Sequence, residues 1–203
     1  MSEFDKKARD WDKNQMHVDR AQAIANALLK ITSVNSLMKA LEYGAGTGLL
    51  SFFLKDRFSE ITLMDSSGEM IRVLQEKIVA ENIRNMRALK IDLGKEEFKG
   101  EFDIIYNQMV LHHVENIESL FDKFYDLLKP GGKLVIADLF AEDGSFHGDG
   151  FSGHNGFDVD HLSNILKKKS FKDVIHKQCY IQKKEIEPGI IKEFPLFILA
   201  ASK

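Results

Sequence analysis

The run Leu41-Glu42-Tyr43-Gly44-Ala45-Gly46-Thr47-Gly48 is an apolar stretch that closes on three glycines at alternate positions. Glycine takes backbone angles closed to other residues, and its missing side chain lets a ligand touch the main chain. Residues 37–43 read as a buried strand. Residues 49–58 return to helical spacing, with Leu50, Phe53 and Leu54 on one face. A glycine loop between strand and helix aims free N–H groups and partial positive charge at whatever lies in front of it. Few chains carry such a junction unless they fold as an open α/β sheet with a crevice at the carboxyl ends of its strands.

The rest of the chain keeps that rhythm. Residues 17–31 carry Val18, Ala21, Ile24, Ala25, Leu28 and Leu29 at helical spacing. Strands are predicted at 61–64, 86–91, 102–106 and 133–140. Helices are predicted at 68–80, capped by Ser67, and from the Asn116 cap to the stop at Pro130-Gly131-Gly132. After a glycine-rich loop reaching to about residue 157, a helix over 159–169 precedes strands near 174–182 and 196–201. The last two strands have only a 13-residue connection containing Pro188-Gly189 between them, which favours an antiparallel hairpin at the sheet edge. Strand–helix alternation elsewhere predicts a doubly wound, mainly parallel sheet.

At 203 residues the chain has room for one α/β domain with a full core. Its formal net charge of −3 gives no basic field for nucleic acid, and none is expected as a partner. The single cysteine, Cys179, excludes an internal disulfide and a cysteine-based zinc site, and fits a cytoplasmic location. The polar N-terminus is not a signal peptide, and no apolar run reaches the ~18 residues of a membrane span.

Two classes of cofactor use a glycine turn of this kind. The dinucleotide fingerprint places glycines at the first, third and sixth positions, whereas here the third glycine is at the fifth and Leu49 holds the sixth. Asp65 directly follows the next strand, where an acid can accept both hydroxyls of a ribose. Asp92 after the third strand and Asn107 at the end of the fourth complete a row of polar residues along one crevice.

As a set, these segments resemble the motifs of class I S-adenosylmethionine-dependent methyltransferases, in the type 11 group that includes quinone-biosynthesis methyltransferases. Residues 40–48 resemble the first motif, Asp65 the ribose-binding acid and Ile91-Asp92-Leu93 the adenine motif. Phe102-Asp103-Ile104-Ile105-Tyr106 resembles the fourth-strand motif, and residues 127–132 the stretch before the fifth strand. The resemblance implies a Rossmann-like seven-stranded sheet of order 3-2-1-4-5-7-6 with strand 7 antiparallel. It further implies a single domain over 1–203 with residues 1–35 as an N-terminal helical cap. S-adenosylmethionine would be the cofactor and S-adenosylhomocysteine the product. Glu42 would hold the methionine amino end, and Gly44, Ala45, Gly46 and Gly48 would give backbone contacts. Asp65 would bind the ribose, Ser66 and Met70 would flank the adenine, and Asp92 with Leu93 would bind its amino edge. The Asn107 carbonyl would face the methionine part, and Trp11 matches an aromatic that covers the cofactor in small-molecule members.

Methyl transfer from a sulfonium needs alignment and desolvation more than a catalytic triad, and a base only where the acceptor arrives protonated. Asn107-Gln108-Met109-Val110 lacks the Asn-Pro-Pro-Tyr type of motif used on adenine or glutamine nitrogens. The resemblance implies a small-molecule acceptor, and a monomer or homodimer is expected. The candidates for a base or substrate-orienting role are His113, in the His112-His113 pair after the fourth strand, and His147 and His154 in the loop after the fifth. His147, Asp149 and His154 are suitable metal ligands at a spacing that matches no standard motif, and no metal is expected. The rival readings are an RNA or protein methyltransferase and a catalytically silent cofactor-binding scaffold module.

Overall fold

The computed structural model describes residues 3–203. Helix α1 (Glu3–Lys7) leads through a 3-10 turn into α2 (Gln15–Ile31), whose first turn is capped by the Asn14 side chain accepting from the Met16 N–H. Then follow β1 (Lys39–Tyr43), α3 (Leu49–Leu54), β2 (Glu60–Asp65), α4 (Gly68–Ala80), β3 (Met86–Lys90) and β4 (Phe102–Gln108). The chain ends with α5 (Ile117–Leu127), β5 (Leu128–Leu139), α6 (Val159–Lys168), β6 (Lys172–Glu187) and β7 (Ile190–Ser202). Of the expected cap over 1–35, residues 1 and 2 lie outside the described residues.

The seven strands form one sheet of order β3-β2-β1-β4-β5-β7-β6. Pairings from β3 across to β5 are parallel, and β7 runs antiparallel to both β5 and β6. This is the order and direction that the motif resemblance implies. Side chains alternate across the sheet, so neighbouring strand residues feed two separate cores. Val135, Ala137 and Ile198 join Ile24 and Leu28 of α2, Leu50 of α3 and Leu74 of α4 on one face. Leu134, Ile136 and Leu199 join Leu120, Phe121 and Phe124 of α5 and Leu162 and Leu166 of α6 on the other. Each fully buried large apolar side chain contributes ~1.5–3 kcal/mol, so the two faces hold the sheet as a rigid platform for its edge.

The Ser67 and Asn116 caps form as the sequence predicts, accepting from the Met70 and Ser119 N–H groups. Two boundaries differ from expectation. Pro130-Gly131-Gly132 does not end α5; the helix stops at Leu127 and these residues already belong to β5, where the pairing with β4 shifts register between Phe102 and Ile104. The final hairpin is also much longer than expected. Strands β6 and β7 stay paired out to Glu187 and Ile190, so Pro188-Gly189 alone makes the turn, with Gly189 at φ +78. A two-residue turn needs positive φ, which glycine supplies without strain.

Candidate active site

The glycine loop leaves β1 at the carboxyl edge of the sheet, with Gly44, Gly46 and Gly48 all at positive φ. Two of the three also have no room for a side chain. A Cβ on Gly44 would meet Val110 Cγ2 at 2.4 Å, and one on Gly48 would meet Leu74 Cδ1 at 2.6 Å. At Gly46 the nearest atom is Met70 Sδ at 4.0 Å, so here the backbone borders open space that a ligand can fill.

Polar groups converge on that space from successive strand ends. Asp65 takes the Gly46 N–H on Oδ2 and the Ser67 N–H on Oδ1, both at 2.8 Å, which ties the loop to the end of β2. Burial pushes its carboxyl above the usual range against the pull of these N–H groups. Each oxygen keeps a further lone pair for a donor. Glu42 on β1 is fully buried, and burial pushes its carboxyl up to about 8 although the Ser51 hydroxyl hydrogen-bonds to Oε2. Its other oxygen, Oε1, has no partner. Asn107 on β4 is buried with neither amide atom hydrogen-bonded.

Buried polar atoms without partners cost ~1–3 kcal/mol each, so such a row marks a place where a ligand supplies the missing bonds. The row fits S-adenosylmethionine: a carboxylate oxygen for an ammonium group, a diol acceptor at Asp65, and a glycine backbone between them. Met70 is buried beside Gly46, and Ser66 sits exposed at the turn into α4. Asp92 lies just beyond β3, with Oδ1 accepting from the Gly94 N–H at 2.9 Å and Leu93 buried beside it.

The N-terminal segment closes over this cradle. Asp12 accepts from the Thr47 hydroxyl and from Lys77 Nζ, both at 2.5 Å, and Lys77 also reaches the Thr47 carbonyl at 2.8 Å. Asp5 accepts from the Ser67 hydroxyl at 2.5 Å. Trp11 lies over His17, ring centroids 4.1 Å apart, and edge-on to Phe4. The sequence reading missed Asp12 and Asp5, because ordinary surface acids acquire a role only once the cap is folded back.

Farther along the same edge stand the histidines. His112 and His113 form a 3-10 turn after β4, and His147 comes in from the loop after β5, with ring centroids 5.0 Å from His112 and 5.2 Å from His113. Desolvation, reinforced by the neighbouring imidazoles, lowers His113 and His147 to about 4, so both rings are neutral at pH 7. Phe4 of the cap packs edge-on against His113, centroids 5.2 Å apart. His154 does not join the cluster. Its Nε2 meets the Val114 carbonyl at 3.0 Å, and its backbone N–H bonds to the His112 carbonyl. Of His147, Asp149 and His154, whose side chains are of a kind to bind metal, only His147 joins the imidazole cluster, with His112 and His113 as its partners. Asp138 on β5, which the sequence reading did not single out, is fully buried with Oδ1 2.6 Å from His112 Nδ1.

Fold, glycine cradle and polar row together define a Rossmann-like methyltransferase site. Known proteins agree: the family model described as a methyltransferase domain matches residues 41–134. An uncharacterized methyltransferase of Schizosaccharomyces pombe is 32% identical over 162 residues, covering 69% of this chain and 57% of its own length. A malonyl-[acyl-carrier protein] O-methyltransferase of Ilyobacter polytropus is 26% identical over 186 residues, covering 91% of this chain and 70% of its own. Among solved structures, phosphoethanolamine N-methyltransferase 2 of Haemonchus contortus in complex with S-adenosyl-L-methionine superposes with a TM-score of 0.72 at 16% identity. That match covers 100% of this chain and 60% of the other. The chain thus spans little more than half the length of the yeast relative. Residues 41–134 carry a methyltransferase domain, on a sheet of the class I S-adenosylmethionine-dependent methyltransferase order.

Proposed function

We propose that the chain transfers the methyl group of S-adenosylmethionine to a small-molecule acceptor held beside His113 and His147 under the N-terminal cap. The observation that carries the reading is the row of unpartnered buried atoms, Glu42 Oε1 and the Asn107 amide, beside an open glycine backbone. The cofactor supplies a methyl group on positively charged sulfur, already activated for attack.

The chain's own residues do the rest. Glu42 takes the amino end of the cofactor and Asp65 its ribose hydroxyls. Ser66, Met70, Asp92 and Leu93 frame the adenine, and Trp11 covers the cleft. His113 and His147, kept neutral by desolvation, offer nitrogen lone pairs that orient a protonated acceptor or take its proton. His154 supports the loop by bonding the Val114 carbonyl. The catalytic unit is one domain over 1–203 that acts in the cytoplasm without nucleic acid, as a monomer or homodimer. A small acceptor is supported by the net charge of −3, by the aromatic cap over the histidines and by a solved neighbour named for phosphoethanolamine methylation.

Calorimetric titration with S-adenosylmethionine and, separately, with a nicotinamide dinucleotide tests the cofactor half. Saturable binding of the first alone is expected, and binding of the dinucleotide alone would overturn the reading. Incubation with methyl-labelled cofactor and fractionated metabolites tests the other half. Label is expected in a low-molecular-weight fraction, and label found only in RNA or protein would refute the acceptor class.

A further inference from the structure

We propose that His112, His113 and His147 bind one divalent transition-metal ion of the zinc class, with one coordination position left open. One nitrogen from each of the three rings lies within 4.8 Å of the other two. Among the described residues, no hydrogen bond joins the rings to one another, so this convergence is not explained as an imidazole network. His147 Nε2 is buried and has no partner at all.

The surroundings are those of a ligand set. His112 Nδ1 faces Asp138 Oδ1 at 2.6 Å, and Asp138 also accepts from the backbone N–H groups of Leu139 at 2.8 Å and His112 at 3.3 Å. A carboxylate held so firmly keeps the proton on Nδ1 and turns the Nε2 lone pair outward, the arrangement that orients metal-binding histidines. Asp138 is fully buried, and its negative charge favours a cation beside it. On the other side His147 stacks on Phe151 with centroids 3.9 Å apart, and Phe146 packs edge-on at 4.9 Å. These rings give the position an apolar wall on one side, with Phe146 buried behind it.

Zinc–nitrogen bonds of ~2.0–2.1 Å place tetrahedral ligand atoms about 3.3 Å apart, so the rings must draw closer when the ion enters. His147 can follow, because its loop carries Gly144, Gly148 and Gly150, all at positive φ. Three imidazoles leave a fourth position for an oxygen or nitrogen of a small ligand. An imidazole bound to metal has no lone pair left for a proton, so metal loading and base action by the same ring exclude each other. The inference does not depend on the methyl-transfer reading, since the ion is measured without cofactor.

The test uses the full chain stripped with chelator and then dialysed against Zn²⁺, or against Co²⁺ as a spectroscopic stand-in. One equivalent of Zn²⁺ is expected, with Co²⁺ giving the strong visible bands of a four-coordinate site. His147→Ala and His113→Ala should each weaken Zn²⁺ binding at least tenfold, while His161→Ala, remote from the cluster, should not. Asp138→Asn should weaken it about 10–100-fold. An unchanged circular dichroism spectrum and melting temperature in metal-free His147→Ala shows that the variant is folded. Substoichiometric metal, absent Co²⁺ bands, or full binding by folded His147→Ala would overturn the proposal and leave the cofactor assignment standing.

Discussion

Glu42 shows how much one residue's chemistry depends on where the fold puts it. A glutamate in a strand leading to a glycine loop is legible in the sequence, and resemblance implies its partner. Its protonation state is not legible, because it is set by complete burial with Ser51 from α3 and Tyr106 from β4, whose oxygens lie 2.7 Å apart. With its carboxyl pushed up to about 8, Glu42 carries a proton at pH 7. The sign follows from the direction of the shift. The unfolded chain gives up that proton near 4.5 and the folded chain near 8, so Glu42 costs stability progressively as pH rises between those values. A bound ammonium favours the ionised form, so cofactor binding at pH 7 should release about one proton from this carboxyl. Calorimetry in buffers of different ionisation enthalpy would measure the release. It should fade above pH 8 and vanish in Glu42→Gln, which keeps an acceptor for Ser51. Equal proton release by the glutamine variant would show that Glu42 is not the source.

Among the elements, the N-terminal cap carries the clearest consequence. The turn between α1 and α2 is fastened by Asp12 to both the glycine loop and α4, through Thr47 and Lys77. The Asp12–Lys77 pair is partly exposed, with side-chain accessibilities of 31% and 24%, so its net contribution to global stability is ~0.5–1 kcal/mol. Its effect on the cleft should be larger than its effect on the fold, since the latch ties the cap directly to the glycine loop. Asp12→Ala is expected to shift the melting temperature by only a few degrees. S-adenosylmethionine dissociation should quicken several-fold and protease should reach residues 8–14 sooner. An unchanged dissociation rate in stopped flow would show that the cap does not gate the cofactor. The cap's helices were legible only from Val18 onward, where apolar spacing is regular. The hairpin of β6 and β7 was underestimated for the opposite reason. Its outer half reads as Lys183-Lys184-Glu185 facing Glu193-Lys192-Ile191, a mostly exposed ribbon with no alternating apolar face to betray it.

Across the whole molecule the carboxyl edge divides into two halves that differ in how far the sequence reveals them. The cofactor half is written locally, because each strand from β1 to β3 ends in its own polar residue within or just after a recognisable motif. The histidine half, where the acceptor is proposed to bind, is assembled at long range. His112 and His113 follow β4, Asp138 lies on β5, and His147 arrives from a loop, so only the folded sheet makes them neighbours. The two halves are linked through the β1–β4 pairing and the cap, where Phe4 touches both Trp11 and His113. Substitutions in separate halves should therefore act independently unless the cap couples them. Asp65→Ala removes a charged acceptor and should weaken S-adenosylmethionine binding by about 1.5–3 kcal/mol. His147→Ala should leave that affinity within about twofold while reducing methyl transfer to the true acceptor. In the double variant the loss of cofactor affinity should equal that of Asp65→Ala alone, within ~0.5 kcal/mol. A larger deviation that disappears when Phe4→Ala is added would trace the coupling to the cap. A deviation that persists without Phe4 would mean that the two halves form one cooperative site, contrary to the division drawn from the sheet.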